Sequence, residues 1–184
     1  MQWDPNSLGD AVTLENGNTT VRCDKGDGCG MGGSIGLRGY DSGRHSFSLV
    51  IDAIPSNWTS GWRGGFAVGV AEPGVDVNDG ACSENIVYYI HGSAQRYGLG
   101  GQSASESDVG DQITITVDFD QLVVEFRKND EVLYIAEDIR PGVPLHPYMS
   151  GCAGATVSFV QQVAGPAAER ARDRREVGDM ESLE

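Results

Sequence analysis

Three carboxylates close together in sequence, Asp118, Asp120 and Glu125, could perform acid–base chemistry. Retaining glycosidases use two carboxyl groups that lie about 5–5.5 Å apart across the sugar. Asp118 and Asp120 share strand parity, but Glu125 falls on the opposite face if the strand is unbroken, and a polar turn intervenes. Carboxylates that hydrogen-bond the backbone of their own turn are the simpler interpretation, so the sequence does not predict an enzyme.

The cysteines and histidines offer metal ligands, but their spacing is wrong for a zinc site. Cys23 and Cys29 are separated by five residues, which lies outside the usual zinc spacing, and no fourth ligand joins them with His45. The chain also has Cys82 and Cys152, and four scattered cysteines do not make a secreted disulfide scaffold. We therefore predict free thiols in a reducing compartment, no metal and no cofactor.

Three aspartates leave one metal-dependent alternative open. Asp24, Asp27 and Asp41 have the oxygen ligands that Ca²⁺ prefers. A calcium-assisted carbohydrate-binding domain is therefore the alternative function.

The charge balance restricts the class of partner. Thirteen Lys and Arg against 27 Asp and Glu give a formal net charge of −14. Such an acidic chain repels phosphate backbones, so nucleic acid is not the expected partner. A polar or basic protein segment is expected instead. The sequence has no 18-residue apolar stretch and no signal-peptide pattern at its start, which predicts an intracellular, cytoplasmic location without a membrane segment.

The elements that carry these residues follow a period of two. In residues 45–52, Phe47, Leu49 and Ile51 share one face while polar residues occupy the other, and residues 112–118 alternate in the same way. This alternation is typical of a strand with one buried face. Many such strands with glycine-rich turns predict an all-β sandwich or barrel. The other strand candidates are 12–15, 19–22, 65–71, 86–91, 122–127, 132–136, 145–149 and 156–161.

The last 21 residues differ in composition from the rest. Residues 164–184 are charged, contain helix-forming residues and lack an apolar face. We predict a domain at 1–163, followed by a solvated tail or linker at 164–184 with a possible short helix.

Five sequence blocks in the same order carry a resemblance to a known family. Residues 65–71 end in the "VGVA" strand, and residues 110–131 form a Gly-Asp strand followed by a hairpin, with Asn129-Asp130 where Asn-Gly is usual. The sequence resembles the SPRY domain, a protein-interaction module of ubiquitin-ligase adaptors, ryanodine receptors, and chromatin and helicase proteins. The resemblance implies a two-sheet antiparallel β-sandwich of the lectin-like jelly-roll type. The other matching blocks are 3–21, 39–47 and 144–159.

The resemblance also implies a peptide-binding surface on loops at one end of the sandwich. In ligase adaptors three segments meet there, and they map to the loop at 22–33, to residues 92–97 and to residues 150–154. Adaptors carry a tryptophan in the third segment, which this chain lacks. The implied peptide contacts are Arg22, Lys25, Arg96, Tyr97, Ser150 and Gly151.

Overall fold

The computed structural model of the chain describes residues 1–24, 32–55, 66–78 and 84–160. Lys25, Asp27, Cys29 and Cys82, which the sequence analysis singled out, lie outside these ranges, as does the predicted tail at 164–184. The described residues form fourteen strands and no helix.

The strands form two seven-stranded sheets in which every ladder is antiparallel. Numbered along the chain and taken in spatial order, sheet one contains β1 (Trp3–Leu8), β4 (Gly32–Gly36), β13 (His146–Gly151), β6 (Ala67–Ala71), β7 (Asn85–Tyr89), β8 (Ser93–Arg96) and β9 (Leu99–Ser103). Sheet two contains β12 (Glu131–Ala136), β11 (Val123–Lys128), β10 (Gln112–Asp118), β5 (Arg44–Ala53), β14 (Thr156–Phe159), β3 (Thr20–Cys23) and β2 (Val12–Glu15). The predicted all-β, two-sheet antiparallel sandwich of the jelly-roll type is confirmed.

The main core lies between the two sheets. Ile113, Ile115 and Val117 of β10 alternate along the strand, and none of the three is exposed to solvent. Trp3 of sheet one is also fully buried, and its ring lies 4.4 Å from that of Phe159 in sheet two. Because each large side chain gains about 1.5–3 kcal/mol on full burial, the inward faces supply the main driving force for packing the sheets together.

The two sheets differ on their outer faces. On sheet two, hydroxyl pairs cross from β5 to β10, with Ser46 and Thr116 2.8 Å apart and Ser48 and Thr114 also 2.8 Å apart. On sheet one, a second apolar cluster, which includes Val75 of the segment after β6, buries the outer face of the central strands. The remaining buried members of that cluster are Ile35, Ala67, Ala71, Val87, Tyr89 and Tyr148.

The strands that the alternation of apolar and polar residues failed to predict lie in sheet one. All five residues of β4 are buried, although Gly32 and Gly33 fall in the loop predicted at 22–33, which is a correction to that boundary. A Cβ on Gly33 would lie 2.4 Å from the carbonyl oxygen of Met149 on the neighbouring strand, so the glycines allow close approach of the backbones. β8 and β9 were not predicted either, since β8 is short and two of the five residues of β9 are glycine.

The strands give the sandwich two ends, which we name after one residue each. The Cys152 end contains Asp24, Pro55 and the turn at 152–155, and the Tyr97 end contains residues 37–43, Glu72, 97–98, 119–122 and 137–145. The ten residues of β5 run from one end to the other, which places the ends on the order of 30 Å apart.

Gly69 provides a test of the close packing of sheet one. A Cβ at this position would lie 2.1 Å from the carbonyl oxygen of Ile86, where nothing flexible can move aside. We expect Gly69→Ala to lower the free energy of unfolding by about 1–3 kcal/mol or more, measured by urea denaturation. Gly142→Asn is the control, because Gly142 has open space around it and a φ of 71° that asparagine tolerates. Equal stability of Gly69→Ala and wild type would contradict the prediction.

Candidate interaction surface

The predicted peptide contacts do not lie at one end of the sandwich. Ser150 and Gly151 end β13 at the Cys152 end, whereas Arg96 and Tyr97 lie at the Tyr97 end. Ser150 is level with Ala67 at the start of β6, and three strand spacings separate β13 from β8. Ser150 and Tyr97 are therefore roughly 20 Å apart.

The Cys152 end is held by a tightly packed turn. The backbone N–H of Cys23 donates to the carbonyl of Ala155 at 2.9 Å, and the N–H of Gly154 donates to the carbonyl of Cys23 at 2.9 Å. A Cβ on Gly151 would lie 2.6 Å from that of Ala155, and the side chain of Ser150 is buried. Ser150 and Gly151 therefore support this turn and expose little surface themselves.

Arg22 lies beside this turn but faces another surface. It is exposed on the outer face of sheet two, between the buried Val21 and Cys23. Its guanidinium forms ion pairs with Glu15 at 2.7 Å and Asp24 at 2.6 Å. The hydrogen bond to Asp24 raises the pKa of Arg22, and the two carboxylates neutralise its charge. The positive charge of Arg22 is therefore already balanced by neighbouring carboxylates and is not free to attract a partner.

Tyr97 occupies the tight turn between β8 and β9, with a φ of 50°. Its backbone N–H donates to the carbonyl of Asn85 at 2.7 Å, and its hydroxyl oxygen accepts the N–H of Arg140 at 3.3 Å. The guanidinium of Arg140 lies 4.4 Å from the centre of the Tyr97 ring, which is a cation–π contact. Burial raises the pKa of the Tyr97 hydroxyl, so the phenol stays protonated.

Glu72 fixes the position of Arg140. Nη1 of Arg140 lies 3.0 Å and 2.9 Å from the two carboxylate oxygens of Glu72. The Glu72 side chain is only 11% exposed, against 50% for Arg140. A nearly buried carboxylate requires such a partner, because an unpaired buried charge is costly. Sequence reasoning missed both residues, since they are 68 positions apart and neither forms a local motif.

Arg96 forms further contacts at the Tyr97 end. Its Nη1 donates to the backbone carbonyl of Glu137 and lies 3.5 Å from the carboxylate of Asp138. The Asp138 side chain is 90% exposed. We call Glu72, Arg96, Tyr97, Asp138 and Arg140 the Tyr97 cluster. It holds one aromatic ring and two guanidinium groups in fixed positions at the end of the sandwich.

The carboxylates considered for catalysis are engaged in structural contacts. The carboxylate of Asp118 accepts the backbone N–H groups of Asp120 at 3.0 Å and Gln121 at 2.9 Å, as expected for a turn carboxylate. Glu125 pairs with Arg127. The predicted turn does interrupt the strand between Asp118 and Glu125, so the opposite-face placement that an unbroken strand would give does not apply, and both residues face outwards from sheet two.

The aspartates considered for calcium are also separated. Asp24 follows β3 at the Cys152 end, and Asp41 lies in the segment before β5 at the Tyr97 end. Within the ranges that the structure describes, no group of three or more His, Cys, Asp or Glu side chains is placed to hold a metal ion. No observation favours the calcium-assisted carbohydrate-binding alternative.

Comparisons with known proteins identify the fold. No protein-family model and no curated protein sequence matches the chain significantly. Among solved structures, the SPRY domain of human HERC1 is 24% identical with a TM-score of 0.72, covering 88% of this chain and 98% of that domain. The TRIM65 PSpry domain is 16% identical with a TM-score of 0.67, covering 88% and 92%. A further human SPRY domain is 20% identical with a TM-score of 0.65, covering 85% and 98%.

These similarities assign the SPRY-domain fold to this chain and confirm the resemblance of the sequence blocks at the level of the fold. The same architecture matches part of stonustoxin, with 13% identity and a TM-score of 0.64, over 86% of this chain and 26% of the toxin chain. Across the described ranges, the structure contains no helix that is long and apolar enough to cross a membrane.

The thiol of Cys23 predicts how stability depends on pH. Burial raises its pKa from 9.0 to about 12, so the folded state holds the proton more tightly than the unfolded state. This contribution to stability is complete below pH 9 and is lost as the pH rises towards 12. We expect the free energy of unfolding to fall over this interval, and to fall less steeply in Cys23→Ala, measured by urea denaturation at several pH values. Cys152→Ala is the comparison variant and should change the slope less than Cys23→Ala does, because the charge of Cys152 contributes less than burial to the raised pKa of Cys23. An unchanged slope in Cys23→Ala would contradict the prediction.

Proposed function

We propose that this chain is a non-catalytic protein–protein interaction module that binds a short peptide segment of a partner. It would act as a substrate-recognition or scaffolding part of a ubiquitin-ligase or signalling complex. The SPRY-domain fold supports this class of function. The engagement of Asp118 with its own turn and of Glu125 with Arg127 supports the absence of catalysis.

The single observation that carries the proposal is the contact of Arg140 with both Glu72 and Tyr97. Tyrosine and arginine are the residues most often found as binding hot spots, since they offer large contact areas and directed hydrogen bonds. Their cost in side-chain entropy is lower when they are already ordered in the free protein. Tyr97, Arg96 and Arg140 are ordered by ion pairs and backbone contacts, so we place the main peptide-binding surface at the Tyr97 end.

The other predicted contacts define a second candidate surface at the Cys152 end. Arg22, Ser150 and Gly151 are its described members, and Arg22 is the exposed one. We rank this surface second because its described residues pack against one another or neutralise one another.

The partner segment should be polar or basic. The formal net charge of the chain is −14, and Glu137 and Asp138 add exposed carboxylates beside the Tyr97 cluster. The guanidinium groups of Arg96 and Arg140 each form an ion pair with an acidic side chain, so they do not give the Tyr97 end a net positive charge. A segment that carries lysine or arginine and can stack against an aromatic ring fits this surface.

Affinity capture from the native cell followed by mass spectrometry tests the proposal. We expect Tyr97→Ala to weaken binding of the captured partner by about 1–2 kcal/mol, which is roughly a five- to thirtyfold loss of affinity, without unfolding the domain. Glu72→Gln should weaken binding in the same direction, because it releases Arg140. The affinity of the purified complex would be measured by titration calorimetry, and the melting temperature would verify the fold of each variant.

The matched control lies at the other end of the sandwich. The Arg22→Ala variant should retain wild-type affinity if the Tyr97 end carries the binding. Loss of affinity in Arg22→Ala, with none in Tyr97→Ala, would move the site to the Cys152 end. Wild-type affinity in all three variants would refute both surfaces.

A further inference from the structure

The four strands at the sheet edges differ in how they are protected against pairing. β1 contains Pro5 and a turn in which Asp4 accepts the N–H of Asn6, β2 has four residues and ends in Glu15, and two of the five residues of β9 are glycine. Proline, charge, glycine and short length all discourage the addition of another strand. β12 has none of these features between residues 132 and 136, where five apolar residues follow one another. In the described part of the chain, no strand pairs with its free side.

Two large apolar side chains of β12 are accessible to solvent. Val132 and Ile135 are each 45% exposed, and they are two of the five exposed large hydrophobic residues in the described ranges. The register of β12 shifts by one residue between Ile135, which is opposite Glu125, and Val132, which is opposite Arg127. Both side chains therefore lie on the outer face of sheet two beside the free edge. They would pack against the side chains of a strand added there.

Acidic residues flank the apolar run at both ends. Asp130 and Glu131 precede it, and Glu137 and Asp138 follow it. All four are exposed. Arg96 approaches Asp138 at 3.5 Å, which offsets only part of this charge. An incoming strand with lysine or arginine at both ends would complement this pattern.

The same charges oppose a second copy of this chain as the occupant. Antiparallel pairing of two β12 strands would bring the acidic start of one strand towards the acidic end of the other. Like charges in facing positions destabilise a strand pair, and each copy carries a formal net charge of −14. The edge therefore fits a partner of opposite charge better than it fits itself.

We propose that the free edge of β12 is a second interaction surface, which binds an extended apolar peptide with basic ends by adding it as an eighth strand to sheet two. Backbone hydrogen bonds to the edge provide the affinity, Val132 and Ile135 select apolar side chains, and the four carboxylates select the basic ends. This surface goes beyond the function proposed above: it shares Asp138 with the Tyr97 cluster but does not require the contacts of Tyr97.

A designed peptide tests this edge on the full 184-residue chain. The probe is a labelled peptide of alternating valine and threonine with two lysines at each end, and its binding is measured by fluorescence anisotropy. We expect saturable binding. A peptide with glutamates in place of the lysines should bind at least about tenfold more weakly. N-methylation of alternate peptide amides, which removes the hydrogen bonds to β12, should also cost at least about tenfold.

Variants of the chain locate the bound probe. The double variant with Val132→Lys and Ile135→Lys should lose at least about tenfold in affinity, because lysine on an edge strand opposes pairing. Leu37→Lys is the matched control, since Leu37 is 57% exposed and lies away from β12. It should bind the probe as wild type does. Tyr97→Ala should also bind the probe as wild type does, which separates this surface from the one proposed above.

Three results would overturn the inference. The first is equal binding of the lysine-ended and glutamate-ended peptides. The second is an equal loss of affinity for the probe in Tyr97→Ala and in the β12 double variant, which would indicate one shared site. The third is a dimer in sedimentation experiments that the β12 double variant abolishes, which would make a second copy of the chain the occupant.

Discussion

Exclusion of water from both faces of the four central strands of sheet one, β4, β13, β6 and β7, is the constraint on which the other features of this sandwich depend. The inner face packs against sheet two, and the outer face is covered by Val75 and its apolar neighbours. A sheet buried on both sides can place few polar side chains along its length. In sheet one, polar and aromatic side chains available to the proposed partner are therefore confined to the ends, where the Tyr97 cluster lies, whereas the edge of β12 belongs to sheet two.

The same constraint decides how much of the fold could be predicted from the sequence. β5 and β10 were predicted to within a residue or two because one face of sheet two is wet, and their alternation of apolar and polar residues is complete. The start of β4, Gly32 and Gly33, was assigned to a loop because these glycines are needed for close approach of neighbouring backbones. β8 was missed because its four residues carry no alternation that distinguishes them from a turn.

The candidate site was less predictable than the fold. Tyr97 and Arg96 were selected by resemblance, and the structure places them at the opposite end from Ser150 and Gly151. Which segments share an end depends on the antiparallel order of β6, β7 and β8, and no local pattern encodes that order. Arg140 could not be found at all, because its role follows from two contacts across the fold.

The ion pair between Glu72 and Arg140 contributes more to orientation than to stability. Removing a carboxylate from water costs several kcal/mol, and attraction to a half-exposed guanidinium offsets that cost without a large surplus. An apolar pair at these positions would stabilise the sandwich as well, but it would not hold a guanidinium 4.4 Å above the ring of Tyr97. The ring is thereby fixed in one position before any partner arrives, and its ordering entropy has already been lost during folding. A costly ion pair beside an ordered aromatic residue is therefore consistent with the proposed binding role, whereas stability alone does not require it.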